Sequence, residues 1–349
     1  MVTIKNNILF IGKCLTLKKE TTHRAYIEQK IKSKEIDWEL IVQISTAYYV
    51  FPALYVNFKA VNFLKLLPED LVAFMEHIYG LNKERNEQIL AEVESLNTLL
   101  VAHNITPIFL KGTACLVDGL YEDIGERMIG DIDLIIEKKE TDPIIKVLTS
   151  NGYTSDTDIL NKTFYSKHLP RFVHEEKIAA LEIHFKILQK DSLDYTFAKS
   201  NIQVTKSGFS IMQYPALLWH SVASNYVEDY GYQVYSVPLR NFYDVYLLSY
   251  KTPSTSAFSV APKYQKIVNA FLVTCQYILD SNQIVYAKNN DTESYLQNVL
   301  IHIENPEDKA KKVEELKETY LKKGRIKRYF KTFYNIHIFK YYLRKIFKK

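Results

Sequence analysis

The sequence predicts an α+β protein in which a compact α/β unit stands between an N-terminal and a C-terminal helical region. Three observations carry this. Apolar residues recur every three or four positions from residue 34 to about 104. Short strand-like runs bounded by turn residues fill residues 106–187, and helical spacing returns from Tyr214. The expected divisions are a mainly helical region at 1–104, the α/β core at 105–205, a helical region at 206–300 and a basic, aromatic tail at 301–349. With 349 residues, 47% hydrophobic and 24% charged, the chain can bury a large core, which excludes a mainly disordered or collagen-like protein.

Taken in order, residues 1–33 are weakly patterned, with a strand-like stretch at 8–11. Ile36, Leu40, Ile41 and Ile44 then set a helical period. Pro52 interrupts it, and Leu67-Pro68-Glu69-Asp70 starts a new helix, expected over 70–103 with a break near Gly80. Pro107-Ile108-Phe109-Leu110 reads as a strand ending in Lys111-Gly112-Thr113, with a helix over 114–120. Residues 129–137 read as a strand, 142–151 as a helix closed by Gly152, and 164–168 and 171–175 as further strands. The clearest strand is 180–187. Leu181, Ile183, Phe185 and Ile187 alternate onto one face, with Glu182, His184 and Lys186 on the other. Residues 217–222, 239–249 and 264–279 read as helices, and 251–262 as a polar loop.

The chemistry is expected in the segment Gly130-Asp131-Ile132-Asp133-Leu134. On a strand, residues two apart face the same way, so Asp131 and Asp133 present two carboxylates side by side. Adjacent anions among apolar neighbours are costly unless a cation sits between them, and Mg²⁺ is held by one or two carboxylates plus substrate phosphates. Gly112 at a strand-to-helix turn lets backbone N–H groups approach a phosphate, with Thr113 offering a hydroxyl and Lys111 a charge. Glu182 supplies a third carboxylate, as a two-metal site for displacement at phosphorus requires. His184, on the same face, can serve a ligating carboxylate or a phosphate. Arg127 suits either a bidentate phosphate contact or an ion pair with a nearby Glu, and Arg240 and Asp244, one helical turn apart, are expected to pair. His220 beside Trp219 reads as core. No Ser-His-Asp order, His-Glu-x-x-His or Walker-type loop is present, which leaves protease, zinc-hydrolase and P-loop readings without support.

Leu110-Lys111-Gly112-Thr113-Ala114, Leu120-Tyr121, Arg127, Gly130-Asp131-Ile132-Asp133-Leu134, Glu182-Ile183-His184-Phe185 and Leu239-Arg240-Asn241-Phe242-Tyr243-Asp244 together resemble the uncharacterised nucleotidyltransferase family of the polymerase-beta-like superfamily. That family is also similar to toxin-type nucleotidyltransferases of abortive-infection systems. The resemblance spans roughly residues 65–250. It implies a mixed β-sheet wrapped by helices, with Asp131, Asp133 and Glu182 binding Mg²⁺, two ions in all. Gly112, Thr113 and Gly130 would shape the triphosphate site, with Lys111 and Arg127 neutralising it. Here the turn is Gly-Thr where the superfamily usually has Gly-Ser or Gly-Gly. The third acid is Glu rather than the commoner Asp, which reaches farther and can act as a base.

Charge is unevenly distributed. Residues 309–349 carry fifteen Lys or Arg against three Glu, +12, while the whole chain is +5, so the remainder is −7. Aromatics such as Tyr329, Phe330, Phe333 and Tyr334 interleave with these cations, a pattern that suits an anionic membrane or nucleic acid, or else a terminal helix packed on the body. The expected function is transfer of a nucleoside monophosphate from NTP to an acceptor (small molecule, RNA or protein) with release of pyrophosphate. The alternative is a non-catalytic binding protein of the same fold that uses the tail on RNA or anionic membrane. Cys14, Cys115 and Cys275 are too far apart for a metal pair or disulfide framework. No apolar h-region follows a basic start and no run approaches eighteen apolar residues, so no secretory signal and no transmembrane helix are expected, and a cytoplasmic location is expected, with the tail able to reach a membrane surface.

Overall fold

A computed structural model describes residues 3–155, 167–189 and 191–305, with Glu307, Lys311, Lys312, Glu314 and Glu315. Met1–Leu300 form one compact unit and Ile301–Lys349 a second. Residues 164–166 of the expected strand at 164–168, and most of the basic tail, lie outside the described residues.

The N-terminal helices are α1 (Ile4–Leu15), α2 (Thr21–Lys32), α3 (Trp38–Ala47), α4 (Phe51–Ala60) and α5 (Glu69–Ala102). The strand expected at 8–11 is helix instead. Thr3 caps α1 by accepting from the Asn6 N–H, and Asn7, Ile8, Ile11, Cys14 and Leu15 are buried at three- and four-residue spacing. A short apolar run cannot separate strand from helix, and the longer period decides. α3 and α4 are bent by 120°. Pro52 falls in the first turn of α4, where its missing N–H breaks no helical bond. The break expected near Gly80 does not occur. α5 runs through it, because one glycine costs an exposed helix position only about 1 kcal/mol.

Five strands form a mixed open sheet: β1 (Ile108–Phe109), β2 (Asp131–Ile135), β3 (Ala180–His184), β4 (Ile202–Val204) and β5 (Ser210–Met212), in the order β3-β2-β1-β5-β4. β2 is parallel to β3 and antiparallel to β1, and β1 is parallel to β5. The β4–β5 hairpin is antiparallel. This is the α+β mixed sheet that the resemblance implied. Between the strands lie α6 (Lys111–Val117), α7 (Thr141–Ser150) and α8 (Tyr195–Ser200). Gly152 closes α7 in the left-handed region, φ +83°, while the Tyr153 N–H donates to the Leu148 carbonyl. Arg171 and its neighbours make single bridges, Thr154 with Val173 and Phe172 with Leu181, rather than the expected strand. His168 bridges to His184 in the same way.

After the sheet come α9 (Tyr214–Ala223), α10 (Leu239–Leu248), α11 (Ala257–Val260), α12 (Gln265–Leu279) and α13 (Asn290–Glu304). The expected polar loop at 251–262 is partly helical and partly buried, and the Ser254 hydroxyl donates to the Val285 carbonyl. Ile132, Leu134, Leu181 and Ile183 are wholly buried on one side of the sheet, so the residues alternating with them point to the other. Cys14, Cys115 and Cys275 are free and buried. Among the described residues, no single helix is long and apolar enough to cross a membrane.

Candidate active site

Parallel pairing of β2 with β3 builds the site. Its register sets Asp131 opposite Ala180, Asp133 opposite Glu182 and Ile135 opposite His184. Neighbouring strands lie about 4.7–4.9 Å apart. Thus two acids distant in sequence become neighbours, with Asp131 one step along the same face. One ligand atom each from Asp133, Glu182 and His184 lies within 4.8 Å of the others. Asp131 is not in that group. The structure therefore brings together two of the three expected carboxylates and adds His184.

Two cations span these acids. The Lys111 ammonium lies 2.6 Å from Asp133 Oδ1 and 3.5 Å from Glu182 Oε2. Arg171 Nη2 lies 2.8 Å from Asp131 Oδ2, and Arg171 Nε donates to Glu182 Oε1 at 2.8 Å. His184 Nε2 sits 2.8 Å from Asp133 Oδ1 and 3.6 Å from Glu182 Oε2, while its buried Nδ1 has no partner, so the ring donates through Nε2. His184, against the cost of partial burial and together with Lys111 and Arg171, holds Glu182 well below the usual carboxylate range. Burial raises the Asp133 carboxyl, but Lys111 and His184 more than offset this and lower it. Burial raises Asp131, with Arg171 opposing and Glu182 and Asp133 adding to the rise. Burial also disfavours the Lys111 charge, yet Asp133 and Glu182 raise its pKa overall.

The remaining expected residues have other tasks. Thr113 is buried, and its hydroxyl oxygen accepts from the Asp133 N–H at 3.1 Å, which ties the first turn of α6 to β2 rather than facing a phosphate. Lys111, at the β1–α6 junction, has φ +49°, a left-handed backbone that is uncommon outside glycine. Gly112 faces the cavity, and a Cβ there would meet the Arg127 guanidinium at 3.4 Å. Arg127 is neither free nor paired with a Glu. It is buried and grips Asp244 with two parallel bonds, Nε to Oδ1 at 2.8 Å and Nη2 to Oδ2 at 2.9 Å. Tyr121 also donates to Asp244. The expected pairing of Arg240 with Asp244 is therefore overturned, because Arg127 takes both carboxylate oxygens. Arg240 instead lies over the Tyr49 ring, 4.7 Å from its centroid.

Apart from Thr113, Tyr121 and His184, which lie behind it, these groups line one cavity of about 430 Å³, with Gly130, Ser221, Ser224 and Asn241 on its walls. Its rim is held by α5. Asn82 and Asn86 donate to the carbonyls of Ile124, Gly125 and Arg127, and Arg85 donates to those of Ile129 and Gly130. Nothing in the local sequence distinguishes these three from ordinary polar helix residues. His184 did carry a signal, its two-residue spacing from Glu182. His220, expected in the core, is 2% exposed.

Two carboxylates meeting beside an imidazole are a donor set suited to a divalent cation, the oxygens to Mg²⁺ and the nitrogen to softer ions. Residues 34–267 match a family model described as an uncharacterised nucleotidyltransferase. No curated protein and no solved structure matches the chain.

Proposed function

The chain belongs to the uncharacterised nucleotidyltransferase family, and from that premise we propose that it transfers a nucleoside monophosphate from NTP to an acceptor hydroxyl or phosphate. The observation that carries the reading is the β2–β3 register, which sets Glu182 opposite Asp133 in the cavity that Gly112 also lines. A divalent cation, Mg²⁺ by its preference for oxygen ligands, would be held by Asp133 and Glu182 and would neutralise charge developing on the reacting phosphate. A second ion needs Asp131 released from Arg171.

The chain's own residues do the rest. Asp133 is fixed on three sides, by its backbone N–H to Thr113 and by its carboxylate to Lys111 and His184. Glu182, held ionised, fits a ligand better than a base. Asp131, the acid that burial raises, is better suited to accept the acceptor's proton. The acceptor oxygen bonds to the α-phosphorus, the bond from that phosphorus to the β-phosphate oxygen breaks, and pyrophosphate leaves with the electron pair. Gly112, packed against Arg127 and Ile129, would lose that close fit with a side chain, since a Cβ there would meet both at 3.4 Å.

The test offers each of the four NTPs, labelled at the α-phosphate, with Mg²⁺ to pools of tRNA, protein, sugars and aminoglycosides. Label should pass to one pool with pyrophosphate release. The Asp131→Asn/Asp133→Asn protein should lose that transfer at least 100-fold while melting as one cooperative unit. Label transfer by the double variant at the wild-type rate excludes the mechanism.

A further inference from the structure

The charges of the cavity are divided unevenly between its two ends. Four carboxylates and four cations line it. At one end Asp131, Asp133 and Glu182 share only Lys111 and Arg171, which leaves an excess negative charge where a metal cation is proposed. At the other end Arg127 and Arg240 face a single carboxylate, Asp244, and Arg127 occupies both of its oxygens. Arg240 makes no ion pair among the described residues. Its one hydrogen bond is a 3.3 Å contact from Nη1 to the Met128 carbonyl, and it rests on the Tyr49 ring. Burial and the nearby Arg127 both disfavour its charge. A half-buried guanidinium facing a cavity without a counter-ion is costly, and an anion bound there recovers that cost.

We infer that Arg240 is the anion subsite of this cavity and takes the distal phosphates of the nucleotide, with Asn241 and Ser224 on the adjoining wall. This rests on the nucleotidyltransferase reading, because it assumes that a nucleotide occupies the cavity. Its geometry fits that occupant. A nucleotide with its α-phosphate at Asp133 and Glu182 extends along the same cavity toward the arginine end. Lys111, Arg127 and Arg171 are each engaged by carboxylates, so Arg240 is the lining cation that no described carboxylate pairs with, and its planar fork can meet a phosphate.

The experiment is a titration of the full-length protein, in Mg²⁺, with the mono-, di- and triphosphate of one nucleoside, the last with an uncleavable α–β bridge. In the wild type, affinity should climb from mono- to triphosphate. Arg240→Gln should cut that gain at least tenfold and leave monophosphate affinity within about twofold. Arg240→Lys, which keeps the charge but not the fork, should retain an intermediate gain, and it serves as the informative variant if Arg240→Gln does not fold. An unchanged gain in Arg240→Gln overturns the subsite. An equal loss for all three nucleotides overturns it too, since that is the signature of a structural role. If only the KM of an acidic acceptor rises, the anion belongs to the acceptor and the assignment to phosphates is wrong. Should the wild type bind none of the three nucleotides, the nucleotidyltransferase reading itself fails, and this shows before any variant is made.

Discussion

His220 sits 2% exposed on α9 with a buried Nδ1 that has no partner. Burial, with Lys111, His184 and Lys167 adding to it, pushes its pKa down to about 3 from an ordinary 6.5. The folded protein therefore keeps this ring neutral, while the unfolded chain takes up a proton below about pH 6.5. Unfolding then binds a proton, so stability is full above pH 6.5 and falls as the pH drops toward 3, by about 1.4 kcal/mol per unit from this residue alone. His220→Leu should flatten the decline. Melting curves at pH 7 and pH 5 should show a smaller drop for the variant than for wild type, and parallel drops would refute the account. Arg127 and Asp244 show the opposite solution to burying charge. Each is buried, and two parallel hydrogen bonds between them offset the desolvation that either would otherwise suffer. Because Arg127 takes both oxygens of Asp244, Arg240 is left without that carboxylate as its partner.

At the scale of elements, α5 is the part that positions the cavity rim. Three side chains on one stretch of it, Asn82, Arg85 and Asn86, satisfy the carbonyls of Ile124, Gly125, Arg127, Ile129 and Gly130, in a segment whose regular structure is one 3₁₀ turn at Ile124–Glu126. Buried carbonyls that no helix or sheet ladder pairs need such partners. The closeness of that packing appears at Gly125, where a Cβ would stand 2.4 Å from the Tyr79 ring. Gly80, on the same helix, has nothing within 4 Å of an added Cβ. Two substitutions of identical chemistry should thus act in opposite directions. Gly125→Ala should destabilise by about 1–3 kcal/mol through overpacking, and Gly80→Ala should stabilise by about 0.5–1 kcal/mol through helix entropy. Urea unfolding midpoints measure both, and a neutral Gly125→Ala would mean that α5 does not grip the rim. The unbroken course of α5 through Gly80 follows from the same fact, since a lone glycine weakens a helix without stopping it.

At the scale of the molecule, Met1–Leu300 form a compact unit that contains every residue of the cavity. A chain ending at Asn305 should therefore melt within roughly 3 °C of the full chain and keep its Mg²⁺-dependent nucleotide affinity. Loss of nucleotide binding on truncation would show that residues 306–349 contribute to the site. The proposed preference of the basic tail for an anionic polymer is separable. Transfer to such an acceptor by the full chain should weaken steeply with added salt, and the truncated chain should lack that dependence.

Sequence alone determined which side chains share a face. The two-residue period of a strand aligns Asp131 with Asp133 and Glu182 with His184, and the apolar alternation of Leu181 and Ile183 says which face is core. These are local consequences of backbone geometry, so they can be read from a few consecutive residues. Tertiary structure decided the pairings across the chain: the register that sets Asp133 against Glu182, the choice of Arg127 over Arg240 as partner to Asp244, and the seizure of Asp131 by Arg171. Such contacts depend on which surfaces are buried against one another, and two like-charged arginines compete for a single carboxylate only once packing has brought all three together.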